Sequence, residues 1–313
     1  MIARRRLGTS ELMVSELSLG SWRTYERISH PAGVAVMRKA QELGINFLDD
    51  ARYNDETGEA PMKTGYSEVI FGQLFRDAGW KRDEVVIANK LWWEFWPDQN
   101  AVQEIDASLR RMGLEHIDLA YAERLPADLS VRRCVEEVGA LIEAGKIRAW
   151  GVLNWTPVAI AEAAGVCGEM RVPAPCAAQL PYSLVMRSAV ENPEMDGALD
   201  AAGMSVVASY TLAGGALTGK YDDPAATGRI NARIDGRDYS QALAAGTRLK
   251  ALAAEVGATP AALAIAFALS HPRVASVLFG ATSPEQVADN AAAVEVKERL
   301  DEPTMKRLRT IGS

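Results

Sequence analysis

Histidine is scarce in this 313-residue chain: His30, His116 and His271 are the only three, and they stand far apart. A metal-dependent hydrolase needs a cluster of His and carboxylate ligands, so that class is disfavoured and no metal is expected. Cysteine is as sparse. Cys134, Cys167 and Cys176 are an odd number without metal-ligand spacing, which implies buried thiols in a reducing compartment, by default the cytoplasm. Positive charge is in deficit, with 34 Lys and Arg against 41 Asp and Glu; the net charge of −7 argues against a nucleic-acid partner. No run approaches the roughly 18 apolar residues of a membrane span, so no membrane partner is expected. The N-terminal Met1-Ile-Ala-Arg-Arg-Arg-Leu-Gly lacks the apolar run of a signal peptide. The usual strand–GxGxxG–helix dinucleotide motif is also missing. Nothing in the sequence excludes a homo-oligomer.

What is abundant is apolar material, 48% of the residues, arranged in a repeating pattern. Short runs rich in Val, Ile and Leu read as strands at Leu17–Ser21, Asn46–Ala51, Glu84–Leu91, Ile117–Glu123, Ile147–Asn154, Ala174–Leu180, Ser205–Thr211 and Val274–Gly280. Helical patterns lie between them: Pro31–Leu43 before Gly44, Asn100–Met112 before Gly113, Val131–Ala144 before Gly145, and one opened by Thr259-Pro260. Continuous apolar strands alternating with helices imply a covered parallel sheet, and eight such units imply closure. The expected fold is α/β, a (β/α)8 TIM barrel. Arg5–Val14 reads as an N-terminal hairpin plugging the barrel floor. Two long connections, Arg52–Tyr66 and Tyr221–Tyr239, follow the second and seventh strands of the repeat. No linker interrupts the pattern, so residues 1–313 are expected to form one domain.

Asp49, Lys90, Glu123, Asn154 and Gln179 each fall near the C-terminal end of a successive apolar run. Barrel closure brings such ends to one mouth. A lone residue there is usually a turn or a cap; five in succession point to a site. A partly buried Lys needs a carboxylate partner, which Asp49 offers Lys90. The cation then favours loss of a proton from a nearby phenol, and Tyr53 is the nearest candidate. Such a Tyr can act as general acid toward a carbonyl oxygen, while hydride must come from a cofactor.

These residues resemble the aldo-keto reductase superfamily. Gly44-Ile-Asn-Phe-Leu-Asp49-Asp-Ala51 looks like its catalytic-Asp stretch, and Val85-Val-Ile-Ala-Asn-Lys90 like its catalytic-Lys strand. Trp150-Gly-Val-Leu-Asn154-Trp and Gln179-Leu-Pro-Tyr182 look like the segments that hold the nicotinamide amide. Leu212-Ala-Gly-Gly-Ala-Leu-Thr-Gly-Lys220-Tyr221 looks like the loop over the cofactor pyrophosphate, which implies Leu212, Gly214 and Lys220 as contacts. Phe279-Gly280-Ala-Thr282, with Gln286, Asp289 and Asn290, looks like the adenosine-phosphate site. The texture is similar to potassium-channel β-subunits and their bacterial relatives, which share Gly20-Ser21-Trp22, Gly79-Trp80-Lys-Arg and Tyr121-Ala-Glu-Arg124; Ser21 and Trp22 are thereby placed at the cofactor. The resemblance runs from about residue 4 to about residue 293. It implies NADP, NADPH when reduced. Independently, Gly280 leads into a helix from about Pro284 whose N-terminus suits a phosphate, and Lys220 with Arg229 or Arg233 offers positive charge.

Three departures qualify the resemblance. Glu123 stands where the family usually has a His. A Glu in an apolar mouth stays protonated more readily and could polarise a conjugated enone, as implied by the Glu of steroid 5β-reductases in this superfamily; the alternative is an ion pair with Lys90 or Arg124. The family Tyr stands five residues after the Asp, where this chain has Asn54; Tyr53 is one early and Tyr66 is the fallback. The nicotinamide-stacking position falls on Ser209 by ungapped spacing, and a one-residue bulge would give it to Tyr210. Trp92 and Trp93, with Trp22, suggest an aromatic wall for a small-molecule substrate. The expected activity is NADPH-dependent reduction of a carbonyl or conjugated enone. The alternative is an NADPH-binding regulatory subunit with little catalysis.

Overall fold

The computed structural model describes residues 2–56, 58–223, 225–226, 228, 230 and 238–313. A two-stranded antiparallel hairpin, β1 (Arg4–Arg6) and β2 (Met13–Ser15), opens the chain. Eight parallel strands among the described residues then close on themselves: β3 (Leu17–Gly20), β4 (Phe47–Asp49), β5 (Val86–Leu91), β6 (Leu119–Ala122), β7 (Ala149–Leu153), β8 (Ala177–Pro181), β9 (Ser205–Ser209) and β10 (Val274–Phe279). Strand order follows chain order, and β10 pairs with β3 to complete the ring. Helices connect successive strands, as right-handed parallel crossovers require. The protein is a (β/α)8 TIM barrel with an N-terminal hairpin.

The apolar runs became strands because both of their faces are covered. Inside the ring, Phe47, Val86, Leu119, Tyr121, Ala149, Ala177 and Val207 form one buried cluster, and Leu7, Leu12 and Val14 of the hairpin pack into it. The floor is therefore plugged as the hairpin pattern implied. Gly8, with φ +53, makes this possible: a Cβ there would lie 2.1 Å from the Cys176 carbonyl oxygen. Outside the ring, the other strand face packs on the helices in a second, larger cluster.

Helix starts follow their capping residues. Ser29, Asn100, Ser130, Thr156 and Thr259 each accept a hydrogen bond from the backbone of the first turn, and Asn100 with Gln103 forms a reciprocal capping box. The first long connection is ordered by its own backbone: Asn54 bridges Thr64, and the Asp55 N–H donates to the Lys63 carbonyl at 2.7 Å. Most of the second long connection, with Arg229 and Arg233, lies outside the described residues. Among the described residues, no single helix is long and apolar enough to cross a membrane. All three cysteines are buried free thiols.

Candidate active site

Barrel closure brings the polar strand-end residues to one mouth, and its centre is a buried ion pair. Asp49 ends β4 and Lys90 lies next to the end of β5. Lys90 Nζ donates to Asp49 Oδ1 at 2.6 Å and to the Asp50 carbonyl at 3.0 Å. Both side chains are nearly inaccessible, at 4% for Lys90 and 2% for Asp49. A buried pair of this kind persists only with its remaining valences satisfied; Gln179 of β8 supplies one, its Nε2 donating to Asp49 Oδ2 at 3.0 Å.

Tyr53 stands over this pair. Its ring centroid is 5.8 Å from Lys90 Nζ. Asn54, five residues after Asp49, is exposed and spent on the bridge to Thr64. Tyr66 is the first residue of the helix Tyr66–Ala78. The loop therefore carries Tyr53 to the mouth one residue earlier than the family spacing. Around it the half-buried rings form a continuous wall: Trp22 lies 6.5 Å from Tyr53 and from Tyr210, and Trp92 meets Tyr53 edge-on at 6.1 Å. Trp93 lies behind this wall instead of on it, buried and T-shaped against Trp96. Two arginines brace the wall and the loop that carries Tyr53. Arg23 stacks over Trp22 at 4.5 Å and pairs with Glu56, while Arg52 reaches Thr64 and Glu94.

Glu123 follows β6 at the rim, half-buried. Burial pushes its carboxyl above the ordinary range, against the opposing pull of the Arg124 N–H, the Asn154 side chain and the charges of Arg124 and Lys90. Lys90 is committed to Asp49, and Glu123 Oε1 accepts from the main-chain N–H of Arg124 at 2.9 Å. The desolvated, partly hydrogen-bonded carboxyl fits the proton-holding reading better than an ordinary ion pair. None of the histidines is at the mouth: His30 pairs with Asp77, His271 meets Tyr182 edge-on, and the His116 carbonyl accepts from Arg82.

The groups expected around a nicotinamide cofactor occupy the same rim. Asn154, past β7, has φ +58, and its N–H donates to the Gln179 carbonyl. The pairing of β8 with β9 runs without a shift to Ser209, so no bulge in that ladder re-aims the next residue. Tyr210 instead adopts φ +58, and its ring reaches Trp22 and the Tyr239 hydroxyl. Beyond Leu212, the residues Ala213, Gly214, Gly215 and Gly219 all have left-handed φ, and turns that use such residues can aim backbone N–H groups at an anion. A Cβ at Gly214 would stand 3.1 Å from the Tyr239 ring, so the turn admits only glycine without displacement. Lys220 closes it, with Nζ 4.9 Å from the Tyr221 ring. Past β10, Gly280 leads to the helix Pro284–Ala291. Its cap is Ser283; Thr282 instead donates its N–H to Gln286 Oε1 at 2.9 Å. Gln286 and Asp289 are exposed and Asn290 is buried. A glycine-rich left-handed turn ending in a lysine, with a capped helix N-terminus later in the chain, is chemically suited to the phosphates of a dinucleotide.

Sequence reasoning did not single out Asp50, Arg23 or Arg52. The Asp49-Asp50 doublet at a strand end was the only signal for the first. The arginines gave none, because their partners Glu56 and Glu94 are distant in sequence.

The chain is 30% identical to a probable voltage-gated potassium channel subunit beta of Oryza sativa subsp. japonica, over 98% of this chain and 95% of that protein. It is 30% identical to one of Arabidopsis thaliana, over 93% and 91% respectively. A putative subunit of the same kind from Schizosaccharomyces pombe is 28% identical, over 98% and 92%. The model of the aldo/keto reductase family matches residues 16–312, and the chain belongs to that family.

Proposed function

We propose that the protein reduces the carbonyl of a small aldehyde, ketone or keto-sugar, or a conjugated enone, with NADPH. Family membership supports NAD(P)H-dependent oxidoreduction as the class. The observation that carries the finer reading is the Asp49–Lys90 pair with Tyr53 above it.

NADPH, when bound, supplies the hydride that reaches the electrophilic carbon. Tyr53 gives its proton to the substrate oxygen, so a carbonyl gains a hydride on carbon and a proton on oxygen, which makes the alcohol and leaves a tyrosinate that solvent reprotonates. The Lys90 ammonium favours loss of that proton, and Asp49 keeps the ammonium charged in a buried place. Glu123 holds a proton at the rim and hydrogen-bonds the substrate. Trp22, Tyr53, Trp92 and Tyr210 provide a flat apolar wall that excludes water and orients the substrate. Ser21, Asn154, Gln179 and Tyr210 would hold the nicotinamide end. Leu212, Gly214 and Lys220 would hold the pyrophosphate, and Gly280, Thr282, Gln286, Asp289 and Asn290 the adenosine end.

The second reading is an NADPH-binding regulatory subunit with little turnover. It is favoured by Glu123 in place of a His and by relatives named as channel subunits. Stopped-flow oxidation of protein-bound NADPH by a panel of aldehydes, ketones, keto-sugars and enones separates the two. Multiple turnovers with any class support the reductase. Tight NADPH binding with no oxidation across the panel supports the regulator.

A further inference from the structure

Asp50 follows Asp49 in sequence but has different surroundings. It is fully buried, at 0% exposure. Its N–H donates to the Ala88 carbonyl at 3.0 Å, its own carbonyl accepts from Lys90 Nζ at 3.0 Å, and its Oδ1 accepts from the Ser21 hydroxyl. Oδ2 is buried as well and has no hydrogen-bond partner among the described residues.

The titratable groups near it come from four elements. Asp49 ends β4 just before it, and Lys90 lies on β5. Glu68 faces it from the helix Tyr66–Ala78, and Tyr25 from the short turn Tyr25–Arg27. The cation that could compensate a charge is already committed, Lys90 Nζ to Asp49, while Glu68, held by Arg111 and Asn89, is a carboxylate whose charge opposes ionisation of Asp50. An ionised Asp50 would leave one carboxylate oxygen unsatisfied beside a second buried carboxylate. The neutral acid avoids most of that cost.

We propose that Asp50 is a positioning residue that works as a neutral carboxylic acid, fixing Lys90 on Asp49 through its carbonyl and setting how readily Tyr53 releases its proton. The Asp49–Lys90 pair is electrically balanced as long as Asp50 keeps its proton. Ionisation of Asp50 adds one uncompensated negative charge beneath Tyr53 and opposes formation of the phenolate. Burial, then the Glu68 charge, pushes the Asp50 carboxyl up to about 8, while the Ser21 hydrogen bond, the Ala51 N–H and the Lys90 charge pull the other way. The role rests on the reading of Tyr53 as the proton donor.

The test is ultraviolet difference titration of tyrosinate in the wild type and in Asp50→Asn, each corrected with its Tyr53→Phe counterpart. Asn keeps the shape and cannot ionise. Tyr53 is expected to ionise at lower pH in Asp50→Asn, by about one pH unit, the effect of one charge at a partly screened distance. Coincident titrations overturn the proposal. If Asp50→Asn fails to fold by far-ultraviolet circular dichroism, Ser21→Ala carries the test. Loss of that hydrogen bond raises the pH at which Asp50 ionises, so Tyr53 is expected to ionise more readily in the range between, and an unchanged titration overturns the proposal. The readout is the phenol itself and needs no substrate. A carbonyl panel without turnover therefore defeats the reductase reading and leaves this result standing.

Discussion

Lys90 Nζ and Asp49 Oδ1 are 2.6 Å apart with both side chains almost wholly buried, so neither charge has water to fall back on. Breaking such a pair from one side leaves an uncompensated buried charge, a loss of about 3–5 kcal/mol. Lys90→Met is therefore expected to unfold at markedly lower urea concentration than the wild type. The double variant Asp49→Asn/Lys90→Met is expected to recover most of the loss, because the orphaned charge is gone. Neither variant should regain turnover. Equal stability of the single and double variants in urea melts would show that the pair is not coupled.

Tyr53→Phe removes one oxygen and leaves the ring contacts with Trp22 and Trp92 in place. Stability and NADPH affinity are expected to stay near wild type. The rate of hydride transfer in a single turnover is expected to fall by about 10²–10⁴, the usual worth of a positioned general acid. Wild-type rates in this variant would remove Tyr53 from the mechanism.

Glu123 is held above the ordinary carboxylate range by burial. A protonated carboxyl donates a hydrogen bond, and an ionised one cannot. Hydride transfer is therefore expected to fall as pH rises through the ionisation of Glu123. In Glu123→Gln the side-chain amide still donates but does not titrate, so this limb should flatten while the plateau stays within a few-fold. A limb of unchanged shape in the variant assigns the titration to another group.

Asp50 also has a thermodynamic signature. Its carboxyl rises from the ordinary 3.8 to about 8 in the fold. In the unfolded chain it ionises near 3.9. Between those limits the folded state binds the extra proton, so stability falls as pH rises, and the loss is complete above about 8. Asp50→Asn removes that dependence. The stability of the variant relative to wild type is expected to climb from about pH 4 to about pH 8 and then level off. A difference that is constant over this range, in thermal or urea melts, contradicts a proton held by Asp50.

The barrel was readable because its strands are covered on both faces. Runs such as Val85–Ala88 are apolar without alternation, and helix starts carry visible caps at Asn100 and Thr259. Asp49, Lys90 and Gln179 were readable because successive apolar runs all end in a polar residue, which caps and turns alone do not account for, and the structure joins these three by hydrogen bonds. The approach of Tyr53 to Lys90 depended on how a loop spends its residues, which the bridge of Asn54 to Thr64 decides. The left-handed turn at Tyr210 was not legible, because nothing local marks a tyrosine for φ +58. Nor was the choice of Ser283 over Thr282 as the helix cap, since either hydroxyl suits the position chemically. Asp50 was hidden for another reason: its environment is assembled from Ser21, Glu68 and Lys90, which only barrel closure brings together.

Arg52 fastens the Tyr53 loop to its surroundings. Its guanidinium donates to Thr64 Oγ1 at 2.6 Å and to Glu94 Oε2 at 2.5 Å, and it stacks over Phe95 at 5.2 Å. One planar group thus ties the start of the loop to its far end and to the segment after Lys90. A lysine has no fork to span both partners and stacks less well on a ring. Arg52→Lys is expected to leave the Asp49–Lys90 pair and global stability nearly intact while loosening the loop. Limited proteolysis within residues 52–64 should accelerate several-fold. Turnover should fall about ten-fold with NADPH affinity unchanged, since a small displacement of the acid from its reactive geometry is costly. Conversely, a variant that resists protease like the wild type yet loses turnover would locate the role of Arg52 in the substrate wall and not in the anchoring of Tyr53.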